Sequence, residues 1–580
     1  MKPLLLPTAL LALFALAATA QTPKFVWVKP IVDLDDPFNT YADLFDIQTH
    51  GSTGQTFVFG YFQGNLDFDS QTALETPPQS AAYFLTKYDP DGTVAWARKI
   101  GPVSDTWPPA DTTGGSVETD AEGNVYVTGK FFGDSLRFDA AHALPRNCPS
   151  NCADIFVAKY APTGDFLWAK NISGAKSGIG FDADGLALAP DGSLYLSGNY
   201  SGNQLVFDVS QTYTDLRPEG YFLARMESSG ELRWIHFLNQ DGIAVAEQLQ
   251  VTANGDVWVG GYYGNGPIDF GNNVLLDVYG DPNLLEYFLV RYNADGEAQE
   301  ALNFNSSNEL FFMPEIAATP DTGLLIVHDF RSNVRQGTQM LRQTPANGAL
   351  LTRHKSGSTS LAAFIAYGGS TTAPISIPIA SVAVDGRGQF VTGGFFGSAS
   401  LTTPGGVLQN AGGCSDIVLL VGYPDSVAKK GHRFGSGSGC EGIVNFYPGH
   451  SMRTGAGNSL YICGLFAGEM SLGGVNQEGY GLFLGKMTGI VTATEPEPRL
   501  MAMPLSVRPN PTSGAFRVAF AQPDPEGVFM VYDVQGRAVF RAPVSAAALD
   551  LHLPLPPGAY LCTFFGKKGT ERGKVLVSKE

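Results

Sequence analysis

The stretch GNVYVTGKFFG, residues 123–133, alternates apolar with small or polar side chains and ends in a glycine followed by aromatics. That alternation is the pattern of a half-buried strand. Close copies recur as GQTFVFGYFQG (54–64), GSLYLSGNYSG (192–202), GDVWVGGYYGN (255–265), GQFVTGGFFG (388–397) and NSLYICGLFAG (458–468), and a worn copy, GLLIVHDFRSN, occupies 323–333. The residue that closes each short strand motif falls at 60, 129, 198, 261, 329, 393 and 464, with spacings of 69, 69, 63, 68, 64 and 71. A period this steady marks a repeat architecture of seven units.

Each unit carries a second signature some twenty residues on. It reads YFLTKYDPDGTVAWARKIG (83–101), IFVAKYAPTGDFLWAKNISG (155–174) and YFLARMESSGELRWIHFLN (221–239). The fourth copy, YFLVRYNADGEAQEALNF (287–304), lacks the tryptophan. Two alternating strands around a turn of the D-P-D-G kind make a hairpin. A further short strand, such as SVETD (116–120), precedes each opening motif. Four strands per unit and seven units predict an all-β fold, a seven-bladed β-propeller whose blades surround a channel. In this reading Gly60, Gly129, Gly198, Gly261, Gly393 and Gly464 let the chain turn where the second strand ends.

The last unit lacks a tryptophan strand after GLFLGKM (481–487), whereas the segment KFVWVKPIV (24–32) places Trp27 where Trp96, Trp168 and Trp234 fall. The N-terminal strand is therefore expected to complete the seventh blade, residues 25–29 pairing with 482–486. The units resemble the seven-bladed β-propeller repeats of bacterial exported proteins, with residues 123–129 and 154–168 closest to that pattern. The resemblance spans about 25–490, and units five and six depart most from it. It implies an architecture and no single activity.

The first twenty residues have one cation, Lys2, an apolar run from Leu4 to Ala17 and Ala18-Thr19-Ala20 before Gln21. This is the layout of a secretory signal peptide cleaved after Ala20, and the run is shorter than the ~20 residues of a membrane span. In an exported chain Cys148 with Cys152, and Cys414 with Cys440, are candidate disulfides, while Cys463 and Cys562 read as buried thiols. The net charge of −18, with no basic cluster, excludes a nucleic-acid partner.

After residues 488–504, a linker without periodicity, residues 505–580 show alternating strands and glycine turns that fit a small C-terminal Ig-like β-sandwich. They carry Pro509-Asn510-Pro511-Thr512-Ser513-Gly514, then Val531-Tyr532-Asp533 with Gly536-Arg537, then Pro557-Gly558-Ala559-Tyr560. These three motifs, in this order, resemble the type A sorting domain of the type IX secretion system. The resemblance implies the type IX machinery as partner, and a destination in the medium or on the outer cell surface.

The sequence holds no H-E-x-x-H, no G-x-S-x-G and no G-x-x-x-x-G-K-[ST], so neither a catalytic, a cofactor nor a metal site is assigned. The acidic residues of the inner strands, Glu118, Asp120 and Glu315, are the remaining enzymatic candidates, since paired carboxylates at a channel mouth could act on a glycan. His236, in an outer strand, reads as a surface or packing residue. The expectation is a non-catalytic binding or adhesion scaffold for a surface glycan or protein, built on insertions such as 136–153 and 266–286. The alternatives are an extracellular enzyme on carbohydrate or peptide, and a structural surface-layer component.

Overall fold

The computed structural model describes residues 23–578 except 34–40, 70, 78–79, 105–113, 148–152, 176–184, 209, 217–218, 239–242, 280–284, 306–313, 331–332, 344–347, 356, 367–378, 398–399, 404–405, 413–414, 424–425, 436–439, 443–450, 490–504, 509–511, 521–527, 533–537, 545 and 567–568. Among these residues the protein is all-β, with many small antiparallel sheets and no α-helix. The chain divides into two compact units between residues 492 and 493.

In the larger unit the same four-stranded antiparallel meander is built seven times. The first uses Tyr41–Thr49, Thr56–Gln63, Ala81–Tyr88 and Val94–Ser104. The second uses Gly115–Thr119, Val125–Phe131, Ala153–Tyr160 and Phe166–Ala175. Later copies open on Gly185–Leu188, Ile243–Val251, Glu315–Ala318, Ile379–Val384 and Met452–Gly455. Each opening strand lies against that of the next copy, and Met452–Gly455 lies against Tyr41–Thr49, so the seven neighbours form a closed cycle. The seventh meander takes its fourth strand from the other end of the chain. Lys24–Asp33 pairs antiparallel with Val475–Thr488, in a register that sets Trp27 opposite Lys486 and Lys29 opposite Leu484.

The repeated glycines do not end their strands. Gly60 lies inside Thr56–Gln63, Gly129 inside Val125–Phe131, Gly198 inside Leu194–Ser201, Gly261 inside Val257–Gly264, Gly393 inside Phe390–Phe396 and Gly464 inside Ser459–Leu472. Directly across from Gly60, Gly129, Gly198, Gly261 and Gly464 stand Phe84, Phe156, Phe222, Phe288 and Phe483 of the third strand. A Cβ on Gly60 would come within 2.6 Å of the Phe84 ring, and one on Gly198 within 2.8 Å of Phe222. At Gly60 and Gly198 the missing side chain lets an aromatic ring of the neighbouring strand lie on the backbone, and at Gly261 it admits Val245 O of the first strand, which a Cβ would meet at 1.9 Å.

A different glycine makes the turn. In the hairpin between third and fourth strands, Gly92 N donates to Asp89 O at 2.8 Å with φ +84, and Gly164 N donates to Ala161 O at 2.8 Å with φ +81. This left-handed glycine after a tight turn is the residue type a three-residue hairpin loop requires. It also leaves space for the preceding meander. A Cβ on Gly92 would meet the Trp27 ring at 2.8 Å, and one on Gly164 would meet Trp96 at 2.8 Å.

The turn carbonyl beside that glycine is gripped twice. Pro90 O accepts from Trp27 Nε1 at 3.1 Å and from Lys486 Nζ at 2.9 Å. Pro162 O accepts from Trp96 Nε1 at 3.1 Å and from Lys87 Nζ at 2.9 Å. Ala294 O accepts from Trp234 Nε1 at 3.2 Å and from Arg225. At the second-to-third junction Lys159 Nζ reaches Ser228 O at 3.4 Å and the Trp168 ring lies against Gly230. In the fourth meander Glu300 stands opposite Arg291 where a tryptophan is expected, and bonds His354 Nε2 of the fifth at 3.1 Å. A hydrogen bond between Glu300 and His354 thus stands at that junction in place of the indole contact.

The C-terminal unit has two antiparallel sheets over one core. Ser506–Arg508, Ala515–Ala519 and Ala548–His552 form one, and Val528–Tyr532, Ala538–Pro543, Gly558–Gly566 and Gly569–Val577 form the other. Their inner faces share Val507, Phe516, Val518, Phe529, Val531, Cys562, Phe564 and Val575. Cys463 and Cys562 are buried free thiols, and burial pushes the Cys562 thiol up to about 12. Cys148, Cys152 and Cys414, and the side chain of Cys440, lie outside the described residues, as do Pro509, Asn510, Pro511, Asp533 and Gly536.

The junction geometry sets a graded expectation. Trp96→Phe keeps a ring over Gly164 and loses only the bond to Pro162 O, costing about 1 kcal/mol. Trp96→Ala also removes the packing and costs about 2–4 kcal/mol. Urea denaturation of the full chain checks both values and their order.

Candidate functional site

The seven opening strands enclose a cavity of about 320 Å³, to which every meander contributes. Its lining is mostly small and apolar, with Ala187, Val251, Ala317 and Val382 among it, and its charged members are Glu118 and Arg453. Glu118 Oε2 accepts from Gln48 Nε2 of the first meander at 2.5 Å. Burial of the carboxyl, with Asp46 nearby, pushes Glu118 up to about 7 against the opposing pull of the Arg453 guanidinium. At neutral pH this group is close to half-protonated, a property usual in acid–base residues and also in buried structural ones.

The carboxylates of the inner strands are largely consumed in joining one meander to the next. Asp46, 1% exposed, accepts from Ser116 Oγ at 3.1 Å and Val117 N at 3.0 Å, and pairs with Arg453 NH2 at 3.7 Å. Glu315, 2% exposed, takes Gln248 Nε2 of the fourth meander at 3.3 Å. Asp120 does not line the cavity. It holds its own turn, accepting from Asn124 N and Nδ2 at 2.8 Å and from Tyr126 OH at 3.1 Å, with Lys159 Nζ 3.6 Å away.

Glu118, Asp120 and Glu315 are therefore not gathered into one acidic site, because Glu118 and Glu315 bond glutamines of different neighbouring meanders and Asp120 holds its own turn. Gln48, Asp46 and Arg453, which complete the surroundings of Glu118, were not singled out in the sequence. Their only signal there is membership of the opening strands of the first and seventh meanders, some 400 residues apart. Among the described residues no group of three His, Cys, Asp or Glu could hold a metal ion, and no helix is long and apolar enough to cross a membrane.

Since the folded carboxyl of Glu118 is raised from 4.5, it favours the folded state fully below about pH 4.5, and this contribution is lost as pH rises through about 7. Glu118→Gln keeps the bond to Gln48 and removes the titration. Between about pH 5 and 8 the melting temperature of the variant should fall less than that of the parent chain, and parallel curves would contradict the assignment.

No family model matches the chain. An uncharacterized WD repeat-containing protein of Acanthamoeba polyphaga mimivirus is 24% identical over 229 residues, covering 35% of this chain and 16% of that protein. Its similarity thus spans about a sixth of the relative's length. Among solved structures, a protein of unknown function from Dyadobacter fermentans matches with 9% identity and a TM-score of 0.32, over 80% of this chain and 98% of that one. PorZ, a surface component of the type IX secretion system of Porphyromonas gingivalis, matches with 13% identity and a TM-score of 0.20, over 93% and 82%. The NanB sialidase of Streptococcus pneumoniae matches with 10% identity and a TM-score of 0.33, over 79% and 70%. At these scores the likenesses say nothing of this chain's ligand or activity.

Proposed function

We propose that residues 21–487 form a seven-bladed β-propeller acting as a non-catalytic binding scaffold outside the cell. Residues 1–20 direct export, and residues 505–580, an Ig-like sandwich after the linker 488–504, engage the type IX secretion machinery. The closed cycle of seven opening strands, completed by the N-terminal strand, supports the propeller reading. The sorting reading rests on the three C-terminal motifs, of which the described residues do structural work. Thr512 Oγ1 donates to Ala515 O at 2.6 Å and accepts from Gly514 N at 3.1 Å, Gly558 begins a strand, and Tyr560 OH donates to Pro556 O at 2.8 Å.

One observation carries binding over catalysis: Asp46 and Glu315 are spent on contacts between meanders, and among the described residues Glu118 is the one carboxyl lining the cavity. Glycoside hydrolysis ordinarily needs two, about 5–10 Å apart and open to substrate. The enzymatic alternative draws on the raised Glu118, a poised general acid.

An array of surface glycans and proteins probed with the full chain separates the two. Saturable retention with no change to the arrayed material is expected. Release of reducing sugar or peptide, abolished by Glu118→Gln, would overturn the scaffold in favour of the enzyme.

A further inference from the structure

Outside the inner cavity, a second one of about 350 Å³ lies where the third meander meets the insertion and hairpin turn of the fourth. Its origin shows in a comparison of four equivalent junctions. Two residues after the junction tryptophan the chain has Lys29, Arg98, Lys170 and then His236. In the small insertion hairpin of the following meander, the motif apolar-x-Phe is followed by Asp69, Asp139, Asp208 and then Gly271. At the second-to-third junction the two positions meet, Lys170 Nζ bonding Asp208 Oδ2 at 2.5 Å. At the first-to-second junction the two residues have other partners, Arg98 Nε donating to Gly164 O at 2.7 Å and Asp139 pairing with His142 at 2.8 Å. At the third-to-fourth junction both charged side chains are missing. A Cβ on Gly271, whose φ is +87, would meet nothing within 4 Å, and the volume that Lys170 and Asp208 fill at the second-to-third junction is open.

What remains around the opening has a definite chemistry. Tyr221, Leu238, Phe270 and Tyr292 are buried and line it, and the two tyrosine hydroxyls lie 3.3 Å apart and satisfy each other. His236 and Asp269 are exposed and line it too. Among the described residues the hydrogen bond to Asp269 comes from Gly271 N at 2.9 Å, which leaves carboxylate acceptor capacity open. His236 packs on Trp234, the ring centroids 4.8 Å apart. Desolvation lowers its pKa from 6.5, against a hydrogen bond with the Asp295 backbone that raises it, so at pH 7 the imidazole is neutral.

Among the described residues no Lys or Arg lines the cavity, so an anion would meet Asp269 with no described cation to balance it. Aromatic walls, a carboxylate acceptor and a neutral imidazole suit a neutral ring with an apolar face and several hydroxyls. The volume sits at the lower end of the ~300–1,000 Å³ typical of small-ligand sites, the size of one or two sugar rings.

We infer that the cavity between the third and fourth meanders is a binding site for a neutral sugar residue, contacted by Phe270, Tyr292, His236 and Asp269. The inference deepens the binding-scaffold reading and rests on it. Where the second-to-third junction closes this space with an ion pair, this one leaves it for a ligand, and Asp269, Phe270 and Gly271 supply one wall.

The test titrates the full chain with methyl glycosides of neutral hexoses, with calorimetry or ligand-observed NMR as readout. Two variants are compared with the parent. His236→Lys with Gly271→Asp rebuilds the pair found at the second-to-third junction and closes the cavity, and Asp269→Asn, at an exposed position, removes the carboxylate and leaves the volume. Saturable binding in the millimolar range is expected, weakened about tenfold or more by each variant, with the melting temperature of Asp269→Asn held near the parent value and that of the double variant lowered by the left-handed backbone at position 271. Saturable glycoside binding that both variants leave unchanged would overturn this site. Retention on the glycan or protein array without any methyl glycoside binding would overturn it as well, and would leave the scaffold reading standing. Failure of the parent chain to bind either glycosides or the array would overturn both.

Discussion

The junctions onto the first, second and fourth meanders share one contact, in which a backbone carbonyl of a hairpin turn is held by a cation and an indole from the preceding meander. The turn carbonyl is available because the tight turn spends its other groups internally, as in Gly92 N to Asp89 O. The indole can reach it because the turn residue beside it is glycine. The third-strand cation reaches the same oxygen, and its stem covers the aromatic surface below, as when Lys486 Nζ lies 5.4 Å from the Tyr461 ring centre. One four-stranded meander cannot bury both of its faces. Each is completed by the next, and the contact fixes how one is placed on another.

A cyclic array of this kind must join its last copy to its first. Here the strand that carries Trp27 comes from the N-terminal end and the strand that carries Lys486 from the far end, and both converge on Pro90 O of the first meander. The same grip that joins neighbours elsewhere therefore joins the two ends of the repeat. Toward the axis, Thr49 Oγ1 donates to Thr454 O at 2.8 Å and Thr454 Oγ1 to Val384 O at 2.9 Å, so the first, seventh and sixth meanders are bonded in series. The two cavities the frame leaves open are the inner one around Glu118 and the one at the junction that carries His236 and Gly271 in place of Lys and Asp.

Much of this was legible in the sequence because the elements are local. The V-Y-V-T-G alternation, the D-P-D-G turns and the displaced Trp27 each lie within one strand or hairpin, and period and spacing report them directly. The glycines were misread for the opposite reason. A glycine closing an apolar run looks like a strand end, and nothing nearby shows that Phe84, on another strand, lies across Gly60. The carboxylates failed in the same way. Asp46 and Ser116 are 70 residues apart, and only the register of neighbouring meanders brings them to 3.1 Å. Where the repeat wears down, as at Glu300, its partner His354 belongs to the next copy and cannot be recognised from one copy alone.

Closure of the repeat by its own N-terminal strand is the claim on which the rest stands, and hydrogen–deuterium exchange on the full chain tests it most directly. The amides of Lys24–Asp33 should be protected to the same degree as those of Val475–Thr488 and should open together with them. Fast exchange of 24–33 beside a protected 475–488 would show the strand to be unattached and would contradict the account.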